Sequence, residues 1–268
     1  MDDPKKVQAH DITLSGQRMH FWKGGTGPAL LLLHAAWGDA EMSWSSVWVQ
    51  LSRSCTVIAP DLAGFGRSSP MPKPSLSGFA KNLRELLEAL QIGRVIAVGN
   101  SFGAAVAIQF ANDYPEAVSQ LVLVDGGYQP VIPGPVRKFI DLPVVNQGFR
   151  WFIRRLTFSP RTLQRSFAFP TRLPSGFFEK IQRNALAYSR ISFDTVMNMT
   201  EPLPKPAVPT MLVWGAQDGL ASLKQAHALQ KWMPDSKLIT IDGAGHMPQV
   251  EVPVEFVAAI MGMTKQVR

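Results

Sequence analysis

The chain has 268 residues, of which 46% are hydrophobic and 18% are charged, and its net charge is +7. This length suits one large α/β domain or a domain with an insertion, and the composition argues against a disordered chain or a fibrous repeat. The single cysteine, Cys55, excludes an intramolecular disulfide and offers no metal cluster. The first residues contain no apolar signal segment and no apolar run is long enough to span a bilayer, so we expect a cytoplasmic protein.

The predicted secondary structure alternates between short apolar strands and amphipathic helices. Polar and apolar residues alternate around Ser15-Gly16, which predicts an opening hairpin. Six nearly continuous apolar runs follow, as is typical of strands buried on both faces of a parallel sheet: ALLLLHAA, CTVIAPD, RVIAVGN, SQLVLVDGG, PTMLVWG and SKLITID. Helical patterns separate most of them, among others SLSGFAKNLRELLEALQIG, LASLKQAHALQKWM and PVEFVAAIMGM. The alternation predicts an α/β fold with a doubly wound, mostly parallel sheet that helices cover on both faces.

The alternation is interrupted once, between Asp125 and Pro209. The intervening sequence is aromatic, basic and helix-like, and prolines punctuate it. Residues 127–205 contain 12 Lys or Arg and 4 Asp or Glu, whereas the rest of the chain contains 15 basic and 16 acidic residues. We therefore predict a helical cap over residues 127–205, inserted in a core that residues 1–126 and 206–268 form.

The sequence VGNSFGA places Ser101 where a predicted strand gives way to a predicted helix. A sharp turn there would lift the serine hydroxyl above the sheet and direct helix N-terminal amides at a reacting carbonyl. Gly99 and Gly103 would let the strand and the helix approach each other closely. These features predict a nucleophilic serine, and the alternative is a glycine-rich turn with an N-capping serine.

A nucleophilic serine needs a general base, and His246 is the best placed of the five histidines. It lies in IDGAGHMPQV, on a glycine-containing loop directly after a strand, where parallel sheets collect ligand-facing groups. His10 and His20 lie in the opening hairpin and His227 lies within a helix, so we expect structural or solvated roles for them. His34 is interpreted as a structural residue that braces its loop.

The acid that orients the histidine should lie beyond a strand end, between Ser101 and His246 in sequence. Asp218, in MLVWGAQDGL, meets both conditions, and so does Asp125 at the end of LVLV. We favour Asp218, because its loop is one βα unit from the histidine loop. Asp242 is too close to His246 along its own strand to orient it easily.

Together these segments resemble the α/β-hydrolase fold superfamily over nearly the whole chain. GNSFG resembles the nucleophile elbow, LLLHAAWGDAEMSW the oxyanion-loop segment, APDLAGFGRSS the loop after the fourth strand, WGAQD the acid turn and GAGHMP the histidine loop. The resemblance implies that Ser101 is the nucleophile, His246 the general base and then acid, and Asp218 its orienting partner. It also implies an oxyanion hole formed by the backbone amides of Phe102 and Ala36, and it implies no metal and no organic cofactor.

One departure from the family pattern and two comparisons with subfamilies bear on the position of the chain within this superfamily. Ala35 stands where family members usually have Gly after the oxyanion-loop histidine, and a left-handed backbone there would disfavour alanine. Serine at position 101 disfavours haloalkane dehalogenases and many epoxide hydrolases, which carry Asp at this point. GNSFG resembles the elbow of meta-cleavage C–C hydrolases, but their glycine- and proline-rich oxyanion segment is absent.

These residues predict a serine hydrolase that cleaves a carboxylic ester of a small or medium hydrophobic substrate through an acyl-enzyme intermediate. Two alternatives stay open, namely a meta-cleavage-type C–C bond hydrolase and a hydrolase-derived small-molecule receptor with little turnover. We expect Trp37 and the cap residues Phe139, Trp151 and Phe152 to line an apolar substrate pocket. Most other aromatic residues of the cap are expected in its own core.

The basic residues of the cap suggest several partners. A solvated face is the simplest interpretation of Arg150, Arg154, Arg155, Arg161 and Arg165. The alternatives are an anionic substrate, an acidic carrier protein or an anionic membrane surface. Nucleic acid is not expected, because no recognised binding module accompanies the charge. We expect a monomer or a homodimer.

Overall fold

One sheet organises the protein. The structure is a computed structural model that describes residues 6–127, 133–140, 142–199 and 201–264, without the side chains of residues 263 and 264. Its eight strands are, in chain order, β1 (Gln8–Leu14), β2 (Gln17–Gly24), β3 (Ala29–Leu33), β4 (Thr56–Pro60), β5 (Val95–Asn100), β6 (Val118–Val124), β7 (Thr210–Gly215) and β8 (Lys237–Ile241). The strands lie in the order β1-β2-β4-β3-β5-β6-β7-β8. The pairs β1–β2 and β2–β4 are antiparallel and the other five are parallel, which confirms the predicted α/β fold with an antiparallel start.

Helices flank this sheet. Those in the described residues are α1 (Ala40–Leu51), α2 (Leu76–Ala89), α3 (Phe102–Asp113), α4 (Gly134–Ile140), α5 (Pro143–Thr157), α6 (Pro160–Ser166), α7 (Phe177–Met197), α8 (Leu223–Trp232), α9 (Pro248–Glu251) and α10 (Pro253–Thr264). None of them is both long enough and apolar enough to cross a membrane.

Alternate residues of the central strands enter two separate apolar clusters. In β3, Leu31 and Leu33 belong to the cluster that includes residues of α2, α3 and α8. Leu30 and Leu32 belong to the cluster that includes residues of α1 and α10. All four leucines are fully buried. The continuous apolar runs of the sequence therefore reflect strands that pack on both faces.

Four helices, α4–α7, lie between β6 and β7, in the stretch where the strand–helix alternation of the sequence stops. Pro143 begins α5 at a position that proline favours. Helix α7 has 21 residues. The assignment of residues 127–205 to a cap domain stays a prediction.

Helix α7 contacts the loops that follow β3 and β4. The Tyr188 hydroxyl accepts a hydrogen bond from the Gly66 N–H at 3.0 Å, and Lys180 forms an ion pair with Asp39 at 3.4 Å. Gly64 has a φ of 84°, a backbone conformation that favours glycine, and its Cα faces the Ile191 side chain of α7. These contacts hold α7 against the carboxyl edge of the parallel strands, the edge at which α/β folds bind ligands.

Candidate active site

Ser101 occupies a strained turn between β5 and α3. Its backbone has φ 54° and ψ −111°, an unusual conformation for a residue with a side chain, which typically costs about 1–3 kcal/mol. A Cβ on Gly99 would lie 2.3 Å from the Gly103 carbonyl oxygen, and a Cβ on Gly103 would lie 2.3 Å from that of Leu33. The turn therefore requires glycine on both sides of the serine, which is the reason that the sequence pattern suggested.

A continuous chain of hydrogen bonds connects Ser101, His246 and Asp218. His246 Nε2 lies 2.8 Å from Ser101 Oγ, and His246 Nδ1 lies 2.7 Å from Asp218 Oδ2. The other oxygen of Asp218 accepts hydrogen bonds from the N–H groups of Leu220 and Ala221. With Asp218 as a carboxylate, Nδ1 carries the proton and Nε2 is free to accept the serine proton. The structure thus brings together the three residues that the sequence singled out.

Asp125, the rival acid, has a different partner. It is fully buried directly after β6, and its Oδ1 accepts a hydrogen bond from the Gly215 N–H at 2.9 Å. Its Oδ2 has no hydrogen-bond donor among the described residues. Burial and the negative charge of Asp218 raise the pKa of Asp125 well above its usual range. A protonated Asp125 can donate a hydrogen bond to Asp218. Asp125 is therefore a neighbour of Asp218, whereas Asp218 is the acid that contacts the histidine.

The backbone N–H groups of Ala36 and Phe102 lie on neighbouring segments. In the parallel pair β3–β5, Leu33 is aligned with Gly99, and Ala36 and Phe102 follow in the segments after these two strands. Within the described part of the chain, neither N–H donates to a protein acceptor. Ala35 is not among the residues with positive φ, so alanine is unstrained at this position.

His34 braces the loop that contains Ala35. Its Nδ1–H donates to the Ala35 carbonyl at 2.8 Å, and its Nε2 accepts from the Leu62 N–H at 2.9 Å. Burial lowers the pKa of this imidazole, in agreement with a neutral ring that has one donor and one acceptor. Both ring nitrogens are therefore occupied by the loops after β3 and β4, as expected for a structural role.

The sequence matches the model of the "Alpha/beta hydrolase family" over residues 30–260. The chain belongs to this family. Lipase 1 of Psychrobacter immobilis is 29% identical, over 91% of this chain and 80% of its own length. A 2-hydroxy-6-oxononadienedioate/2-hydroxy-6-oxononatrienedioate hydrolase of Pseudomonas sp. is 27% identical, over 87% of each chain. Among solved structures, a membrane phospholipase A described as a bacterial virulence factor superposes with a TM-score of 0.79 at 26% identity, over 98% of this chain and 87% of its own.

Asn100, which precedes Ser101, connects the turn between β5 and α3 to the histidine loop. This residue is fully buried, and its Nδ2 donates to the carbonyl oxygens of Val124 and His246, each at 3.1 Å. Its Oδ1 accepts from Gln249 Nε2 at 3.1 Å. The sequence around Ser101 predicts no role for Asn100. A polar residue at the end of an otherwise apolar strand was the only available signal.

Glu251 joins the histidine loop to the stretch that contains α4–α7, which we call the helical segment. Its two carboxylate oxygens accept hydrogen bonds from the N–H groups of Gly245, at 2.8 Å, and Ala168, at 2.7 Å. The His246 N–H donates to the Ser166 carbonyl at 2.7 Å in the same region. Burial raises the pKa of Glu251, and the four backbone N–H groups around it oppose that shift. No sequence motif indicated this residue.

Trp37 is the one predicted pocket residue that the structure brings to the histidine. Its side chain is buried, and its ring lies edge-on to His246 with 5.0 Å between ring centroids. On its other side, 5.8 Å away, lies Phe167, which in turn contacts Phe177 and Phe178. An apolar wall from two parts of the chain therefore adjoins the imidazole.

Phe139, Trp151 and Phe152 were also expected to line the pocket, and that expectation stays a prediction. All three side chains are more than half exposed, and the clefts that contain Trp151 or Phe152 are lined only by residues of the helical segment. The physical reason is the orientation of α5, which uses Phe149 to pack edge-on against Phe193 of α7. An apolar stripe on a helix shows that the helix has an apolar face, but not which partner covers it.

Proposed function

We propose that this hydrolase cleaves a carboxylic ester of a small or medium hydrophobic substrate through an acyl-enzyme intermediate. The observation that carries the proposal is the continuous hydrogen-bonded series from Ser101 Oγ through His246 to the Asp218 carboxylate. A serine hydroxyl becomes an effective nucleophile only when a base accepts its proton as it attacks. The short distances on both sides of the imidazole supply that base and hold it in the required tautomer.

The reaction proceeds in two halves. Ser101 Oγ attacks the ester carbonyl while His246 Nε2 takes its proton, and the C–O bond to the alcohol then breaks as the same nitrogen protonates the departing oxygen. A water molecule next attacks the acyl-serine, with His246 again accepting a proton. The carboxylic acid leaves, and the proton returns to Ser101. Asp218 stays ionised throughout and stabilises the imidazolium.

We assign to the N–H groups of Phe102 and Ala36 the stabilisation of the negative charge that develops on the carbonyl oxygen. Their places after two neighbouring strands support this role, and so does the lack of an acceptor for either N–H among the described residues. Phe102 also begins α3, so the partial positive charge of a helix N-terminus adds to the stabilisation. Loss of one such donor typically raises the barrier by about 3 kcal/mol.

The surroundings of the histidine favour an uncharged substrate. Trp37 and Phe167 present aromatic surface, and the cations Arg150 and Arg190 are instead directed to Asp194 within the helical segment. An ester with an apolar acyl or alcohol group matches this wall. The similarity to lipase 1 of Psychrobacter immobilis supports the same chemistry.

A C–C bond hydrolase is the second candidate, because the Pseudomonas relative carries the name of a hydrolase for a 2-hydroxy-6-oxo dienedioate. Such a substrate has carboxylates that need cationic partners close to the serine. An activity assay with a ring-fission product beside simple esters separates the two possibilities.

The deciding experiment is a hydrolysis screen with p-nitrophenyl esters of increasing acyl length, aromatic esters, lactones and a ring-fission product. We expect ester turnover by the wild type and a loss of at least about 10³-fold in kcat for Ser101→Ala, with unchanged folding. Ser45→Ala, at an exposed serine of α1, is the matched control and should retain full activity.

Three outcomes would change the proposal. Wild-type rates in Ser101→Ala would refute the assignment of Ser101 as the nucleophile. Turnover of only the ring-fission product would replace the ester proposal, and a single burst without steady-state release would indicate a receptor.

A further inference from the structure

Helix α5 exposes an apolar surface that the fold does not use. Seven of the 13 exposed large hydrophobic side chains among the described residues lie between positions 136 and 156. Val144 is 84% exposed and Leu156 is 56% exposed, and Trp151 and Phe152 lie between them along the helix. At 100° per residue, these four side chains fall within an arc of about 140°, and Phe149, which packs on α7, lies just beyond one end of that arc.

Unneutralised cations surround this surface. Arg155 shares the exposed side of α5, its guanidinium 5.3 Å from the Trp151 ring centroid, and Arg161 of α6 lines a cleft together with Phe152 and Leu156. In the described residues, neither Arg155 nor Arg161 has a carboxylate within ion-pair distance. Residues 134–166 contain seven Lys or Arg and one Asp. We call the set Val144, Trp151, Phe152, Arg155, Leu156 and Arg161 the α5 face.

A purely solvated face does not explain this combination. A solvated helix surface carries polar side chains, whereas four large apolar groups here remain in water without contributing to the core. A second copy of the chain is also a poor partner, because a symmetric contact would place the cations of one α5 face against the same cations of the other. The occupant must therefore offer both negative charge and apolar volume.

We propose that the α5 face docks the hydrolase onto the surface of an anionic phospholipid bilayer. A helix with bulky apolar residues on one side and arginines at its margin can lie in the plane of the interface, with its apolar groups below the headgroups. The guanidinium groups then lie at the level of the lipid phosphates, where each cation strengthens binding about fivefold. The projecting side chains fit a deformable bilayer, whereas a folded acidic protein would need a groove shaped to receive them.

This docking is distinct from the catalytic proposal, since the α5 face contains no residue of the Ser101–His246–Asp218 series. Binding is therefore measured with Ser101→Ala as the parent, so that lipid hydrolysis cannot alter the vesicles. Sedimentation with vesicles of phosphatidylcholine alone is compared with vesicles that contain equal parts of phosphatidylglycerol, at low and at high salt. We expect binding to the anionic vesicles only, and weaker binding at high salt.

Two double variants test the α5 face, and each has a matched control elsewhere on the surface. Val144→Ser with Leu156→Ser, and Arg155→Gln with Arg161→Gln, should each weaken binding to anionic vesicles at least about tenfold. Val49→Ser with Val254→Ser, which replaces equally exposed aliphatic groups on α1 and α10, should not, and neither should Lys224→Gln with Lys231→Gln on α8. When Ser101 is left intact, all four double variants should leave hydrolysis of a short, water-soluble p-nitrophenyl ester unchanged.

Several results would overturn the proposal. They are an absence of binding to anionic vesicles at low salt, equal binding to neutral and anionic vesicles, and equal losses in the control variants. Retention on immobilised polyglutamate without vesicle binding would point to an acidic protein partner instead. A concentration-dependent dimer that Val144→Ser with Leu156→Ser abolishes would identify a second copy as the occupant. None of these results depends on whether Ser101 is the nucleophile.

Discussion

Asp125 and Asp218 follow neighbouring parallel strands, yet only Asp218 forms a hydrogen bond with His246. The Asp218 carboxylate lies 2.7 Å from the imidazole Nδ1, whereas Asp125 uses its Oδ1 to accept the Gly215 N–H at 2.9 Å. Two acids thus lie at the same edge of the sheet with different partners. Asp218 contacts the imidazole, and Asp125 is buried with a raised pKa.

Replacing the two acids separately should have very different effects on catalysis. Asp218→Asn cannot offer a carboxylate to Nδ1 and favours the wrong tautomer, so we expect a fall in kcat of about 10³- to 10⁴-fold. Asp125→Asn keeps an acceptor for the Gly215 N–H, so we expect a fall of less than about tenfold. Steady-state rates on the best ester of the screen measure both. A larger loss for Asp125→Asn would transfer the role of the acid to Asp125.

The raised pKa of Asp125 also predicts how stability depends on pH. Burial, with the charge of Asp218 as a second cause, makes the folded protein bind this proton more tightly than the unfolded chain does. The resulting stabilisation is fully present below the ordinary Asp pKa and is lost as the pH rises through the raised pKa. Asp125→Asn has no proton to release, so its free energy of unfolding should fall less steeply with pH. Urea titrations of both proteins across that range provide the measurement, and parallel curves would contradict the prediction.

Asn100 should act on the position of the histidine loop. Asn100→Ala leaves the carbonyl oxygens of Val124 and His246 and the Gln249 amide without this partner, which should cost about 1–3 kcal/mol of stability. Because the loop carries the base, we also expect kcat to fall more than KM changes. Asn198→Ala, which removes an exposed amide bound to the Pro74 carbonyl, is the control and should leave kcat unchanged. A purely structural role would appear as lost stability with wild-type kcat at a temperature where the variant is folded.

Local sequence patterns predicted the sheet and the sharp turn at Ser101, because each pattern consists of residues that are close together in sequence. The apolar runs around Leu31 and Ile96 give strands buried on both faces, and Gly99 is required by its contact with Gly103 and Ala104, a few residues further on. Asp125 and Asp218 both follow neighbouring strands, and the prediction of Asp218 rested on its loop being one βα unit from the histidine loop.

Contacts between distant segments could not be read from the sequence. Glu251 is an ordinary surface-type residue until folding brings Ala168 and Gly245 to its two oxygens. In the same way, the apolar pattern of α5 contains both Phe149, which packs against Phe193, and Trp151, which remains exposed. Periodicity identifies an apolar face, but the choice between core, pocket and outer surface depends on tertiary packing.

The close approach of α3 to β3 predicts a strong effect of Gly103→Ala. The added Cβ would lie 2.3 Å from the Leu33 carbonyl oxygen and 2.7 Å from that of His34, and both are backbone atoms that cannot rotate away. We expect a loss of stability of about 1–3 kcal/mol or more. The strain should also displace the Phe102 N–H relative to Ala36, so kcat should fall in the folded fraction.

Gly262→Ala in α10 is the matched control, because no described residue lies within 4 Å of its added Cβ. This variant should raise stability by about 0.5–1 kcal/mol. Urea unfolding and initial rates measure both effects. Equal behaviour of the two variants would show that the spacing of β3 and α3 does not constrain the serine turn.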